Sequence, residues 1–194
     1  DSPADCGSWV LRAVGGRVSV RQINWLGTLP RAFTADEQQQ LTQTRQDYET
    51  VAQLYRQAKY AEAVTVATRV MESLRTLLGE DHPETATSIN NLAELYRSQR
   101  NAAAESLFLR ALKIHEMAFG SGHPATATCL HNLALLHKQQ SNFTAAEPLS
   151  VRALKIREKA LGPNSLATAA SLHNLAELYD LRSNFAAAEP LYLR

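Results

Sequence analysis

Three observations predict an all-α chain built as a stack of helical hairpins. The stretch Leu78 to Tyr96, LGEDHPETATSINNLAELY, returns as FGSGHPATATCLHNLALLH and again as LGPNSLATAASLHNLAELY. Gly79, Gly120 and Gly162 close successive copies at spacings of 41 and 42 residues. Within each copy the apolar residues fall three and four apart, the period of an amphipathic helix. A segment that recurs at fixed period marks a solenoid, in which each unit buries its apolar face against its neighbours.

Residues 1–33 stand outside the repeat. Two runs, Trp9 to Val14 and Arg17 to Gln22, flank Gly15-Gly16, and a Gly-Gly turn supplies the positive φ angles of a tight hairpin. Pairing there puts Trp9, Leu11, Ala13, Val18 and Val20 on one face and Arg12, Ser19 and Arg21 on the other. An isolated hairpin is marginal in water, so the extension reads as hairpin or disordered.

Residues 34–79 form a degenerate first repeat. Thr34 and Glu37 make a capping box, which starts a helix running to about Gln57. Its apolar positions Tyr48, Val51, Ala52 and Tyr55 match the later template. A second helix follows from Tyr60 to Leu78, with Gly79 as its left-handed C-terminal cap.

Residues 80–120 and 121–162 are full repeats, and 163–194 is an incomplete last one. The first helix of each carries an apolar stripe: Ile89, Leu92, Ala93 and Tyr96, then Leu130, Leu133, Ala134 and His137, then Leu172, Leu175, Ala176 and Tyr179. The second helices repeat Ala104, Leu107, Ala111 and Ile114 as Ala146, Leu149, Ala153 and Ile156. Alanines on both helices allow close antiparallel packing. Pro83 and Pro124 follow a histidine and suit the first helical turn, where no backbone donor is wasted. Ser165 takes the capping place at the third joint. Pro148 and Pro190 are expected in the first turn of their helices, marking starts rather than kinks.

The unit of Leu-Gly, His-Pro-x-Thr-Ala, Leu-x-Asn-Leu-Ala-x-Leu and Ala-Glu-Pro-Leu-x-x-Arg-Ala-Leu-x-Ile resembles the tetratricopeptide repeats of kinesin light chain and the bacterial proteins that share that variant. The resemblance covers residues 47–194 and implies a right-handed α-solenoid. It departs from that pattern at the turns between paired helices, where Ala58, Arg100, Ser141 and Ser183 replace glycine. The second unit also lacks the aromatic that Tyr60, Phe143 and Phe185 supply elsewhere, so the turn near Asn101 is the expected soft point.

The resemblance implies a concave groove, lined by the first helices, on which extended peptides dock. One step off the apolar stripe lie Glu49, Gln53 and Arg56; Asn90, Glu94 and Arg97; His131, Leu135 and Lys138; and His173, Glu177 and Asp180. Arg56, Arg97 and Lys138 occupy equivalent sites in successive units, which stacked helices place roughly 10 Å apart. That column predicts a preference for acidic peptides, disfavoured near Glu177 and Asp180, with Leu135 as the apolar floor. The competing reading makes these ordinary solvated charges, with Arg97 neutralised by Glu94 one turn earlier. A second column, Asn91, Asn132 and Asn174, bonds either a peptide backbone or the neighbouring helix, and its place beside the stripe favours the helix.

Composition narrows the function. With 20 basic and 19 acidic residues the net charge is +1, which speaks against binding nucleic acid or anionic membrane by bulk field. No apolar run reaches the 18 or more residues of a membrane span. Cys6 and Cys129 make no disulfide framework, so a reducing compartment, the cytoplasm, is expected. Among the six histidines no pair has the one-turn spacing of a metal site. His137 stands where a core Tyr is expected, and Cys129 faces away from His131. No phosphate loop or nucleophile elbow occurs. The expectation is a non-enzyme without cofactor: a scaffold or adaptor that binds proteins or short peptide motifs. The alternative is the regulatory arm of a larger peptidase, ATPase or signalling protein. Phe185 to Arg194 opens a helix like Phe143 to Arg152 but stops short of the equivalents of Ala153 and Ile156. An uncapped, self-associating C-terminal end is therefore expected.

Overall fold

In the computed structural model residues 33–194 are described in full, together with the backbone of Gly7–Val14 and Arg17–Asn24. Those two segments, β1 and β2, pair antiparallel with Val14 opposite Arg17 and Gly7 opposite Asn24. The Gly15-Gly16 turn, the two side-chain faces expected of this extension, and Cys6 lie outside the described residues.

Eight helices follow: α1 (Ala35–Arg56), α2 (Tyr60–Leu78), α3 (Pro83–Ser98), α4 (Ala103–Phe119), α5 (Pro124–Gln139), α6 (Phe143–Leu161), α7 (Leu166–Leu181) and α8 (Phe185–Tyr192). They form four antiparallel pairs. Each first helix packs on its own second helix and, from α3 onward, on the second helix of the unit before. The core is correspondingly segmented. Ala93, Ala104, Phe108, Leu133 and Leu136 join units two and three, and Ala146, Leu154, Leu172, Leu175 and Leu178 join units three and four. Buried alanines at every crossing let the helices approach closely, as the recurrent Ala positions require.

The helix starts follow from local chemistry. Thr34 closes a complete capping box with Glu37. At α3 and α5 the cap is the histidine before proline: Nδ1 of His82 accepts from the Glu84 amide, and Nδ1 of His123 from the Ala125 amide, each at 3.1 Å. Ser165 has the same role at α7, accepting from the Thr168 amide at 3.1 Å. A threonine in the first turn beyond each cap then turns back to the preceding glycine: Thr85, Thr126 and Thr168 donate to the carbonyls of Gly79, Gly120 and Gly162 at 2.8, 3.0 and 2.8 Å. All three threonines are fully buried. The His-Pro-x-Thr-Ala motif is thus a joint whose polar side chains bond within it.

Two expectations about turns and prolines are corrected. Gly79, Gly120 and Gly162 do have positive φ, but ψ of 164–166° takes them out of the left-handed helical region. The left-handed cap sits instead at the turns inside each unit, where Ala58, Arg100, Ser141 and Ser183 have φ of 55–60°. The amide after each of these residues closes the turn, as in Lys59 to the Leu54 carbonyl and Asn142 to the His137 carbonyl, at 2.9 and 2.8 Å. That is the Schellman closure. Pro148 and Pro190 are the sixth residues of α6 and α8, beyond the first turn. Both are exposed, so the carbonyl that each leaves without its helical donor is on the solvent side.

Candidate protein-binding surface

First helices of successive units touch directly, α3 with α5 and α5 with α7, and more extensively than the second helices touch one another. A stack whose first helices converge curves toward them, so their outward side chains line the inner surface. Along it a polar ladder runs from unit to unit. Tyr55 of α1 donates to Glu94 of α3 at 3.3 Å. Asn132 of α5 donates to Asn90 of α3 at 3.2 Å, and the Asn174 amide of α7 lies 2.9 Å from Nε2 of His131 on α5. These last two contacts are one contact repeated: each asparagine reaches the equivalent side chain of the unit before.

The predicted site residues fall into three groups on this surface. Asn90, His131 and the asparagine column belong to the ladder. Asn90 is 6% exposed, so it faces its neighbour helix rather than the open groove. Burial first, then the nearby cations Arg157, Lys138 and Arg97, push His131 down to about 3. Its ring is therefore a neutral acceptor. Arg97, Glu94, Lys138 and Glu177 form ion pairs. Arg97 grips Glu94 through two bonds of 2.5 and 2.8 Å, which holds the guanidinium above its usual pKa, and reaches Gln139 at 3.5 Å. Lys138 spans to Glu177 of the next unit at 2.7 Å. Arg56, Leu135 and His173 stand apart. Arg56 is exposed and donates to its own Ala52 carbonyl, Leu135 is half-buried, and the exposed His173 sets its ring edge-on to Tyr192.

Of the three cations in the column two are paired: Arg97 with Glu94, the pairing their spacing predicts, and Lys138 with a partner that the sequence does not point to. Arg97 and Lys138 already hold carboxylates, the first from its own helix and the second from α7. The reason is spacing: glutamate sits one turn before Arg97, and two repeats later the glutamate at the equivalent position of α7 comes within reach of Lys138. Sequence reasoning misses the ladder role of Tyr55, and it misses Gln139 and Arg157 altogether. Arg157 is buried beneath the surface and donates to the Ala167 carbonyl at 3.1 Å and to Ser171 at 2.8 Å. Its equivalents one and two units earlier are His115 and Leu74, and that loss of pattern hides it.

Among the described residues no group of histidine, cysteine, aspartate and glutamate is placed to hold a metal ion, and no helix is long and apolar enough to cross a membrane. Cys129 is buried, which raises its thiol to about 12, with Glu116 adding to the shift.

The fold recurs in solved proteins. BtubC (BKLC) from P. vanneervenii matches with a TM-score of 0.69 at 21% identity over 78% of this chain and 61% of its own. This chain thus spans less than two thirds of BtubC. A kinesin light chain-type protein of Podosopora anserina, described by its nearly identical TPR-like repeats, matches with a TM-score of 0.69 at 23% identity, over 77% of this chain and 71% of its own. A substituted form of that same protein gives 0.68. No curated protein matches. The tetratricopeptide repeat model matches residues 31–114, 95–159 and 135–194, which together take in every helix pair described above. The chain belongs to the tetratricopeptide repeat family.

Proposed function

We propose that this chain is a protein-binding scaffold whose inner surface takes an extended peptide segment across α3, α5 and α7. The observation that carries this reading is the polar ladder. It ties α3 to α5 and α5 to α7, and the same helices carry the half-buried Leu135 and the ion pairs of Arg97 and Lys138. The contact set is Arg56, Glu94, Arg97, Leu135, Lys138, His173 and Glu177, with Asn90 and His131 supporting it from the ladder. The preference is for acidic segments, which bind by exchanging with the glutamates already in place: a ligand carboxylate displaces Glu177, 44% exposed, from Lys138, itself only 15% exposed. Each exchanged contact is worth about 0.2–1 kcal/mol, so affinity is modest and salt-sensitive. Catalysis has no part in this reading, and a buried thiol at Cys129 suits a cytoplasmic setting. Titrating short labelled peptides of varied charge at low salt tests it. Acidic peptides should bind best, Lys138→Glu should abolish the preference, and Glu177→Gln should strengthen it several-fold. Equal binding of acidic and basic peptides by the parent would leave the inner surface without charge selectivity.

The same chain is proposed to self-associate through α7 and α8. Leu181, Phe185, Tyr192 and Leu193 are 53, 65, 45 and 81% exposed, whereas the equivalent Phe143 is packed against the core that α7 completes. A pocket of about 390 Å³ opens there between Asp180, Phe185, Glu189, Tyr192 and Leu193. Sedimentation equilibrium should show a concentration-dependent dimer that Phe185→Glu removes. A parent that stays monomeric at high concentration would end this proposal.

A further inference from the structure

Four of the six histidines lie between residues 115 and 137, around the joint where α4 meets α5 and α5 meets α7. Three of them are held in ways that a second ring proton disrupts. His115 is 3% exposed and its buried Nδ1 has no partner. The neutral ring leaves only a lone pair there, whereas the protonated ring would bury an unpaired N–H. His115 stacks on Phe119 at 5.8 Å, and Phe119 stacks on His123 at 4.3 Å. His123 spends its Nδ1 lone pair on the Ala125 amide, the cap of α5. His131 accepts from Asn174 and so ties α5 to α7.

The surroundings of these rings offer little to stabilise a new positive charge. His131 faces Arg97 from α3, Lys138 on its own helix, Arg157 from α6 and the neutral Asn174 from α7; the carboxylates of Glu94 and Glu177 are bound to Arg97 and Lys138. His115 faces His123 across Phe119. Next to His115, Glu116 is bound to Arg152 of α6 and acts on Cys129 of α5.

We propose that the junction of α4, α5 and α7 is an acid-sensitive latch: when pH falls this junction between the second and third units opens before the first unit does, interrupting the inner surface between α3 and α7. The linkage sign supports this. All three rings have their folded pKa depressed by burial, to about 4 for His115 and about 3 for His131, and in the same direction for His123. A depressed histidine contributes stability fully above its unfolded pKa of about 6.5 and loses it as pH falls toward the folded value. Each ring that gains its proton on opening raises the opening constant about tenfold per pH unit in that window. The first unit contains no histidine at all.

Sister units supply the controls. The equivalents of His115, His123 and His131 elsewhere in the chain are Leu74, Ser165 and Asn90, each already tolerated at its place. His131→Asn rebuilds the Asn132 to Asn90 contact one unit later. Amide hydrogen exchange on the full chain, corrected for intrinsic rate, is to be followed from pH 7.5 to 4.5. In the parent, α5 amides should lose protection by at least tenfold per pH unit below about 6.5, ahead of those of α1 and α2. The triple variant His115→Leu, His123→Ser, His131→Asn should flatten that slope while keeping neutral-pH stability. Should the triple variant fail to fold, His131→Asn alone is expected to remove about tenfold per pH unit. Equal loss of protection in all units, or a slope unchanged in the variants, would overturn the latch.

Discussion

Between units the chain turns at Gly79, Gly120 and Gly162, with φ of 98, 85 and 83°; inside units it turns at Ala58, Arg100, Ser141 and Ser183, with φ of 57, 55, 60 and 57°. Both kinds of joint reverse the helix direction and both use positive φ. Only one kind kept its glycine. The difference lies in ψ. At the joints between units ψ of 164–166° belongs to a region that is essentially closed to side chains. A left-handed helical residue costs only about 1–2 kcal/mol. The Schellman hydrogen bond that closes each inner turn offsets that cost, so glycine is dispensable there.

The largest expected effect breaks this comparison at a joint between units. Gly120→Ala should lower unfolding free energy by about 1–3 kcal/mol. A Cβ at Gly120 would meet nothing within 4 Å, so the whole penalty is backbone conformation. Urea denaturation measures it directly. A loss no greater than that of an exposed Ala substitution elsewhere would show that ψ is not what keeps glycine here.

The caps just after those glycines sharpen the contrast next. His82 and His123 cap with a titratable acceptor, Ser165 with a hydroxyl. Burial depresses both histidines, so their contribution is complete above about pH 6.5 and fades as pH drops below it. Ser165→Ala should cost about 1 kcal/mol at every pH. His123→Ala should cost about the same at pH 8 and less at pH 5, where the parent has already lost part of the cap. Stability curves at the two pH values check this; a pH-independent cost for His123→Ala would mean the ring nitrogen is not the working acceptor.

What could be read from the sequence follows from what a repeat makes visible. Helix pairing, unit boundaries and the buried alanine and leucine positions recur at spacings of 41 or 42 residues, so the comparison of copies exposes them. The asparagine column is readable for the same reason, and Asn132 and Asn174 do bond to the neighbouring unit. The surface cations are not. Whether Lys138 is open or paired depends on Glu177 of another helix, and periodicity gives the position of a side chain without its partner. Arg157 escapes because its equivalents are His115 and Leu74, three chemistries at one buried position. Pro148 falls deeper in its helix than expected because the turn ends at Ser141 and Asn142 caps α6, so the helix already runs from Phe143.

The smallest effect concerns the inner turn of the second unit, where two departures from the pattern coincide. Arg100 holds φ of 55°, and the unit is one residue shorter than its neighbours between Asn101 and Ala104, so α4 starts at Ala103 and spans 17 residues against 19 for α2 and α6. The aromatic that opens those two helices is missing, and Asn101 Oδ1 caps the Ala103 amide at 2.9 Å instead. Arg100→Gly relieves the left-handed strain of about 1–2 kcal/mol and gives back about 0.5–1 kcal/mol in unfolded-state entropy. The net should be a gain of about 0.5 kcal/mol. Because the Asn101 amide keeps its 2.8 Å bond to the Tyr96 carbonyl, nothing else at the turn needs to change. Ser141→Gly and Ser183→Gly should each add a similar amount, nearly additively since the turns belong to separate units. Thermal unfolding of the single variants and of the triple variant decides the point. A loss on Arg100→Gly would mean that the arginine side chain, and not the backbone alone, holds this turn.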